Sequence, residues 1–128
     1  MGKRQSINAP RARHENPIPN ASRIGNIVMS SVIGGSNPGT RELPPTLDEQ
    51  LVNVFAAIKG DIEAAGGTVD DILKITFYVK DPVKDRPVIN THWLKMFPDP
   101  EARPARHSQT LPPDSRALVQ ADFFAVIT

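Results

Sequence analysis

Apolar residues recur at three- and four-residue spacing over 47–65, at Leu47, Leu51, Val54, Phe55, Ile58, Ile62 and Ala65. That spacing marks one face of an amphipathic helix. Gln50, Asn53, Lys59, Asp61 and Glu63 are expected on its remaining surface. Thr46 or Asp48 can cap its start, and Gly66-Gly67 can close its end. Gly60 costs such a helix roughly 1 kcal/mol relative to alanine, and close packing is the one reason the sequence offers for it. Two stretches alternate instead. In Ile72 to Val79, the residues Ile75, Phe77 and Val79 oppose Lys74, Thr76, Tyr78 and Lys80. In 118–127, Val119, Ala121, Phe123, Ala125 and Ile127 oppose Leu118, Gln120, Asp122, Phe124 and Val126. Both read as strands.

Weaker signals fill the gaps. Residues 1–26 are polar and turn-rich, with a short edge strand expected over Ser6 to Ala9. A strand over 27–32 follows the Gly25-Asn26 turn, and a loop spans 34–46. Asp85 to Phe97 is a second helix, with Asp85 as its cap and Pro87 in its first turn. Its apolar stripe is Ile89, Trp93, Met96 and Phe97. If residues 106–110 are extended, Arg106, Ser108 and Thr110 share one face, and His107 and Gln109 the other.

The order is strand, long helix, strand, helix, strand, strand. It predicts a small α+β or α/β sandwich with helices on one sheet face and right-handed crossovers. The 128 residues fit one domain, with 1–6 expected as a flexible arm. The last strand is apolar on both sides, so its second face calls for cover, as a homo-oligomer would provide.

Composition narrows the chemistry. Formal charge is +1, which points no strong field at nucleic acid or membrane. Lys3, Arg4, Arg11, Arg13 and His14 make a short basic arm, read as solvated. With no cysteine, disulfides and thiol catalysis are excluded. His14, His92 and His107 lack metal-ligand spacing, so no metal or other cofactor is expected. No apolar run is long enough to span a bilayer or act as a signal, which leaves the cytoplasm as the default location.

Two charged residues stand in apolar surroundings. Arg106 follows Pro104-Ala105 and needs an anionic partner if buried, either an internal carboxylate or a ligand's acid group. Asp122 interrupts an apolar strand. It either pairs with Arg106 or holds a water as hydrogen-bond acceptor or base. Asn90 can donate and accept, or simply meet solvent. His107 is a further base candidate, although alternation turns it away from Arg106. Ser30 and Ser31 lack the setting of a serine nucleophile.

The chain resembles the RidA family of reactive enamine/imine deaminases over about residues 7 to 127. The residues that carry the likeness are Asn8-Ala9-Pro10, Gly25 to Ser30, Ile62 to Gly66, Asp71 to Asp81, Val88-Ile89-Asn90, Pro104-Ala105-Arg106, Leu111-Pro112 and the strand bearing Asp122. This resemblance implies a chorismate-mutase-like α+β fold, with a mixed sheet and two helices on one face. It implies a homotrimer with clefts between subunits and a small carboxylate-bearing ligand. It implies hydrolytic deamination of an imine or enamine, with Arg106 clamping the carboxylate and Asp122 positioning water. It also places Asn90 in the cleft, backbone groups near Ser31 and Ser108 beside the substrate, and Ile18 at a substrate-binding position.

Three positions depart from the family pattern. Asn16-Pro17-Ile18-Pro19 stands where Gly-Pro-Tyr-Ser is usual, so Ile18 brings no hydroxyl. Ser30-Ser31-Val32 replaces Ser-Gly-Gln, and Asp122 replaces the commoner glutamate. The alternative reading is a non-catalytic binding or regulatory module for small carboxylates on the same trimer. RNA cleavage, attached to some relatives, is disfavoured by the near-neutral charge and the lack of stacking aromatics.

Overall fold

The structure, a computed structural model, describes residues 2–10 and 14–128. Arg11 and Arg13 of the expected basic arm lie outside the described residues. Among the described residues there are seven strands: β1 (Gln5–Ile7), β2 (Ala21–Ile24), β3 (Ile27–Ser30), β4 (Ile33–Gly34), β5 (Ile72–Val79), β6 (Ala105–Thr110) and β7 (Val119–Val126). Two helices accompany them, α1 (Leu47–Ala64) and α2 (Arg86–Met96), with a 3₁₀ turn at Val69–Asp71. All seven strands join one mixed sheet in the order β1-β2-β3-β7-β5-β6, with β4 also on β7. β5 and β6 are parallel across the α2 crossover, and every other pairing is antiparallel.

The periodic stretches become the elements they predict. Along β7, Val119, Ala121, Phe123 and Ala125 are buried and the alternate residues half-buried. The buried set joins Ile75, Phe77 and Val79 of β5 beneath Leu51, Val54, Ile58 and Ile62 of α1 and Ile89, Trp93 and Phe97 of the α2 segment. The opposite face carries no helix. It leaves Ile24, Ile27 and Met29 roughly half exposed (46–55 %) beside half-buried Phe124 and Val126.

Several local expectations change. β2 arises inside the stretch read as irregular, because Gly25, at φ 55°, turns the chain so that Ala21–Ile24 can pair with β3. Within the arm expected over 1–6, Gln5 and Ser6 pair with Arg23 and Ser22. Thr46, and not Asp48, caps α1, by accepting from the Glu49 N–H at 3.2 Å. Gln50 and Asp61, expected on the helix surface, are buried (2 % and 0 % exposed). Gln50 is satisfied there by donating to the Pro44 carbonyl at 2.8 Å and accepting from the Leu118 N–H at 3.0 Å, which pins the 34–46 loop to the start of β7. Asp85 stands at the N-cap of α2, as expected, but its side chain makes no capping hydrogen bond. Its backbone is already helical, and Oδ2 accepts the Asp81 N–H instead.

Gly60 is not explained by close packing, since a Cβ there meets no atom within 4 Å. Gly60→Ala is therefore expected to stabilise the chain by about 1 kcal/mol, read as a higher urea midpoint. Glycine is required at Gly66, at φ 95°, where the last turn of α1 closes through Gly66 N to Glu63 O and Gly67 N to Ile62 O.

Asp71 ties the 3₁₀ turn to the end of β7. It accepts from the Thr68 N–H (2.9 Å), the Thr128 N–H (3.2 Å) and the Thr128 hydroxyl (2.8 Å). These bonds, the one from Thr68 first, hold its carboxyl below the ordinary 3.8 against the opposing effect of burial. A lowered folded value means that its stabilisation is complete above the unfolded value and is lost as pH falls through the folded one. Asp71→Asn is expected to flatten the acid limb of stability below about pH 4, as seen in urea midpoints measured across that range.

Candidate active site

β6 is the edge strand of the sheet, and its register decides where its side chains point. Arg106 lies beside Ile75 and Ser108 beside Phe77. Ile75 and Phe77 belong to the core face, so Arg106 and Ser108 lean toward α2. Both are half-buried, whereas His107 and Gln109 are exposed on the other side. The alternation read from the sequence therefore holds, and His107 is turned away from Arg106.

α2 meets Arg106 with two side chains. Arg106 Nη2 donates to Asn90 Oδ1 at 2.7 Å. Its Cζ sits 5.0 Å from the centroid of the Trp93 ring, in cation–π geometry. Trp93 is itself fixed by Phe97, edge-on at 4.8 Å, and by Phe77 at 6.3 Å. The start of β6 is moored by Arg103, whose Nε donates to the Phe97 carbonyl at 2.9 Å. No ion pair among the described residues involves Arg106. Burial first, and the charge of Arg86 second, lower its pKa from the ordinary arginine value. The guanidinium remains charged. It is thus partly desolvated and oriented by a neutral amide and an aromatic face, a state that favours an incoming anion. The Ser108 hydroxyl beside it has no partner among the described residues.

Asp122 is elsewhere. It lies beside Thr76 on β5, on the helix-free face, and its Oδ2 accepts the Tyr78 hydroxyl at 2.8 Å. Of the two readings of Asp122, the pairing with Arg106 is not made, because the register puts the two side chains on opposite faces of the sheet. That hydrogen bond, followed by burial and the carboxylate charge, raises the Tyr78 pKa above its ordinary value. Met29, Ser30, Lys74, Thr76 and Phe124 surround Asp122 in a shallow cavity of about 230 Å³.

Ser31 is committed to its own chain. Its N–H donates to the Asn20 carbonyl at 2.9 Å and its hydroxyl to the Pro19 carbonyl at 2.8 Å. It therefore braces the 16–20 loop, on which Ile18 is 46 % exposed. Ser30 fills a gap in the sheet. Between the Met29–Phe124 and Ile33–Ala121 pairs the backbone ladder is interrupted, and the Ser30 hydroxyl accepts the Phe123 N–H at 2.8 Å. His92 bridges the helices, with Nε2 2.8 Å from Asp48 Oδ1 and its ring stacked on Phe55.

A wider polar cleft of about 410 Å³ lies along the helix-free half of β7. Asn16, Val32, Arg41 and Gln120 line it, as does His14, whose buried Nε2 has no partner among the described residues. Gln120, Tyr78 and Arg86 were not read as site residues from sequence, and Trp93, read as part of the apolar stripe, is buried in the core and also faces Arg106. Trp93 had a legible signal, since Asn90 and Trp93 are three residues apart on one helix face.

The model of the family described as Endoribonuclease L-PSP matches residues 7–126. The chain belongs to this family, the RidA family. A RutC family protein of Haemophilus influenzae is 32 % identical over 110 residues, covering 82 % of this chain and 84 % of that one. The 2-iminobutanoate/2-iminopropanoate deaminase of Escherichia coli K12 is 32 % identical over 118 residues, covering 89 % and 90 %. Among solved structures, RidA from an Antarctic Psychrobacter superposes with TM-score 0.84 at 28 % identity, over 96 % of this chain and 99 % of that one. Escherichia coli TdcF with bound serine gives 0.84 at 25 % identity, over 97 % and 99 %. The RidA fold, a mixed sheet with two helices on one face, is thus the fold of this chain. No helix among the described residues is long and apolar enough to cross a membrane.

Proposed function

We propose that the chain hydrolyses a small carboxylate-bearing imine or enamine to the corresponding keto acid and ammonia. Deaminase-type chemistry on such compounds is supported by similarity to the Escherichia coli deaminase. The observation that carries the residue assignment is the state of Arg106: half-buried, stacked on Trp93, held by Asn90 Oδ1 and without a carboxylate among the described residues. Such a fork grips a carboxylate in two parallel hydrogen bonds and fixes the imine carbon relative to a water.

The chemistry then needs little else. A water oxygen adds to the electrophilic carbon of the protonated imine, giving a carbinolamine. The carbon–nitrogen bond breaks, nitrogen leaves as ammonia, and the carbonyl forms as the hydroxyl gives up its proton. Asp122 is the acceptor assigned to orient the water, with Tyr78 holding one of its oxygens. Because Arg106 and Asp122 occupy opposite sheet faces, one chain does not assemble them. A cleft between subunits does, with Arg106 from the sheet edge of one copy facing the helix-free surface of the next. The exposed apolar residues of that surface supply the reason for such packing, and a homotrimer is the assembly proposed. Ser108 lies beside Arg106 and Asn90 orients it, while Ile18 and Ser31 belong to the loops on the opposing surface.

A second reading, a binding or regulatory module for small carboxylates, is favoured by two observations. Ile18 offers no hydroxyl, and both donors of Ser31 are already used. The two readings separate in one assay. Purified chain is added to 2-iminopropanoate generated in place by an amino-acid oxidase, and ammonia release is followed. Acceleration above the spontaneous rate supports the enzyme. No acceleration on that or on an aminomuconate-like substrate, while pyruvate binds, leaves the module.

A further inference from the structure

Arg106 is not the only cation facing this region without a counter-ion. Arg86 opens α2, exposed, one helical turn before Asn90. Residues four apart on a helix present side chains to the same patch of surface, with Cβ atoms roughly 5–6 Å apart. Asn90 is the residue that holds Arg106, so Arg86, Asn90 and Trp93 form one stripe with the Arg106 guanidinium laid across it. The field of Arg86 is felt at Arg106, where it adds to burial in lowering the pKa. Among the described residues no ion pair engages Arg86. The neighbouring Asp85 carboxylate accepts the Asp81 N–H and makes no ion pair with Arg86 among the described residues. Two like charges brought to one face of α2, Arg86 from the helix and Arg106 from β6, repel each other. A ligand bearing two negative charges removes that repulsion.

We propose that the site takes a dicarboxylate imine or enamine, with Arg106 gripping the acid group next to the reacting carbon and Arg86 binding the distal one. This rests on the deaminase reading above and adds the substrate class. The reaction is otherwise unchanged, with water adding to the imine carbon and ammonia leaving. The distal acid contributes binding alone, so its effect belongs in KM.

The test compares 2-iminoglutarate and 2-iminosuccinate with 2-iminopropanoate and 2-iminobutanoate, each generated in place. Wild type is expected to favour the diacids by about tenfold or more in kcat/KM, mostly through KM, with a preference that shrinks as salt rises. Arg86→Gln is expected to collapse that ratio, and Arg86→Lys to keep most of it. Equal ratios in wild type and Arg86→Gln overturn the assignment while leaving the deaminase intact, and so does an Arg86→Gln variant altered only in oligomer stability. If no imine of either class turns over, the deaminase reading fails, and calorimetry decides the ligand class. Tighter binding of 2-oxoglutarate than of pyruvate, lost in Arg86→Gln, sustains it, and equal binding of the two overturns it.

Discussion

Arg106→Ala is expected to lower kcat/KM for the imine substrate by about 10² or more, while the fold survives. The magnitude follows from the setting of the side chain. Truncating one member of a desolvated, hydrogen-bonded charge pair costs about 2–5 kcal/mol, and each 1.4 kcal/mol or so is a factor of ten in rate. The fold survives because Arg106 is half-buried on an edge strand and, among the described residues, its side chain hydrogen-bonds Asn90 alone. Arg106→Lys is the sharper variant. It keeps the charge but loses the planar fork and its stacking on Trp93, so most of the loss is expected to remain. The measurement is steady-state kinetics of ammonia release, with far-ultraviolet circular dichroism as the check on folding. Near wild-type kcat/KM in Arg106→Ala would falsify the carboxylate clamp.

Phe77→Ala carries the largest expected effect on stability. Phe77 is fully buried in the middle of β5, stacked on Phe55 at 5.6 Å and met edge-on by Trp93 at 6.3 Å. Removing a buried phenylalanine ring costs about 3–5 kcal/mol, through lost burial and the cavity left behind. That is a large share of the roughly 5–15 kcal/mol that holds a typical domain together. Urea unfolding is expected to show the midpoint falling with little change in slope. Activity is expected to fall as well, because Phe77 supports the ring on which Arg106 lies. Phe77→Leu retains most of the volume and is expected to cost under about 1.5 kcal/mol. A loss of stability in Phe77→Ala no larger than that of Phe77→Leu would show that the aromatic stack bears little of the core.

Where the chain is strongly periodic, local pattern and tertiary burial ask for the same thing. The α1 stripe from Leu51 to Ile62 and the alternation of β5 and β7 are therefore readable without any structure. β2 was missed because Ala21–Ile24 lacks both periodicity and β-branched density, and becomes a strand through its pairing with β3 and β1. Gln50 was misplaced because helix position alone does not reveal that the 34–46 loop and β7 close over it. For the site, the sequence singled out Arg106 and Asp122 as charges in apolar surroundings, and the family resemblance added Asn90. It could not reveal that Tyr78, and not Arg106, meets Asp122.

The sequence by itself determined the two helices and the strongly alternating strands β5 and β7, that Arg106 and Ser108 share a side of β6, and that a chain with no cysteine does no thiol chemistry. Only the tertiary structure decided that Arg106 faces α2 while Asp122 faces the helix-free surface. The physical reason is that side-chain alternation fixes faces within a strand, whereas strand register fixes them between strands. Register depends on contacts far apart in the chain, which no local pattern encodes.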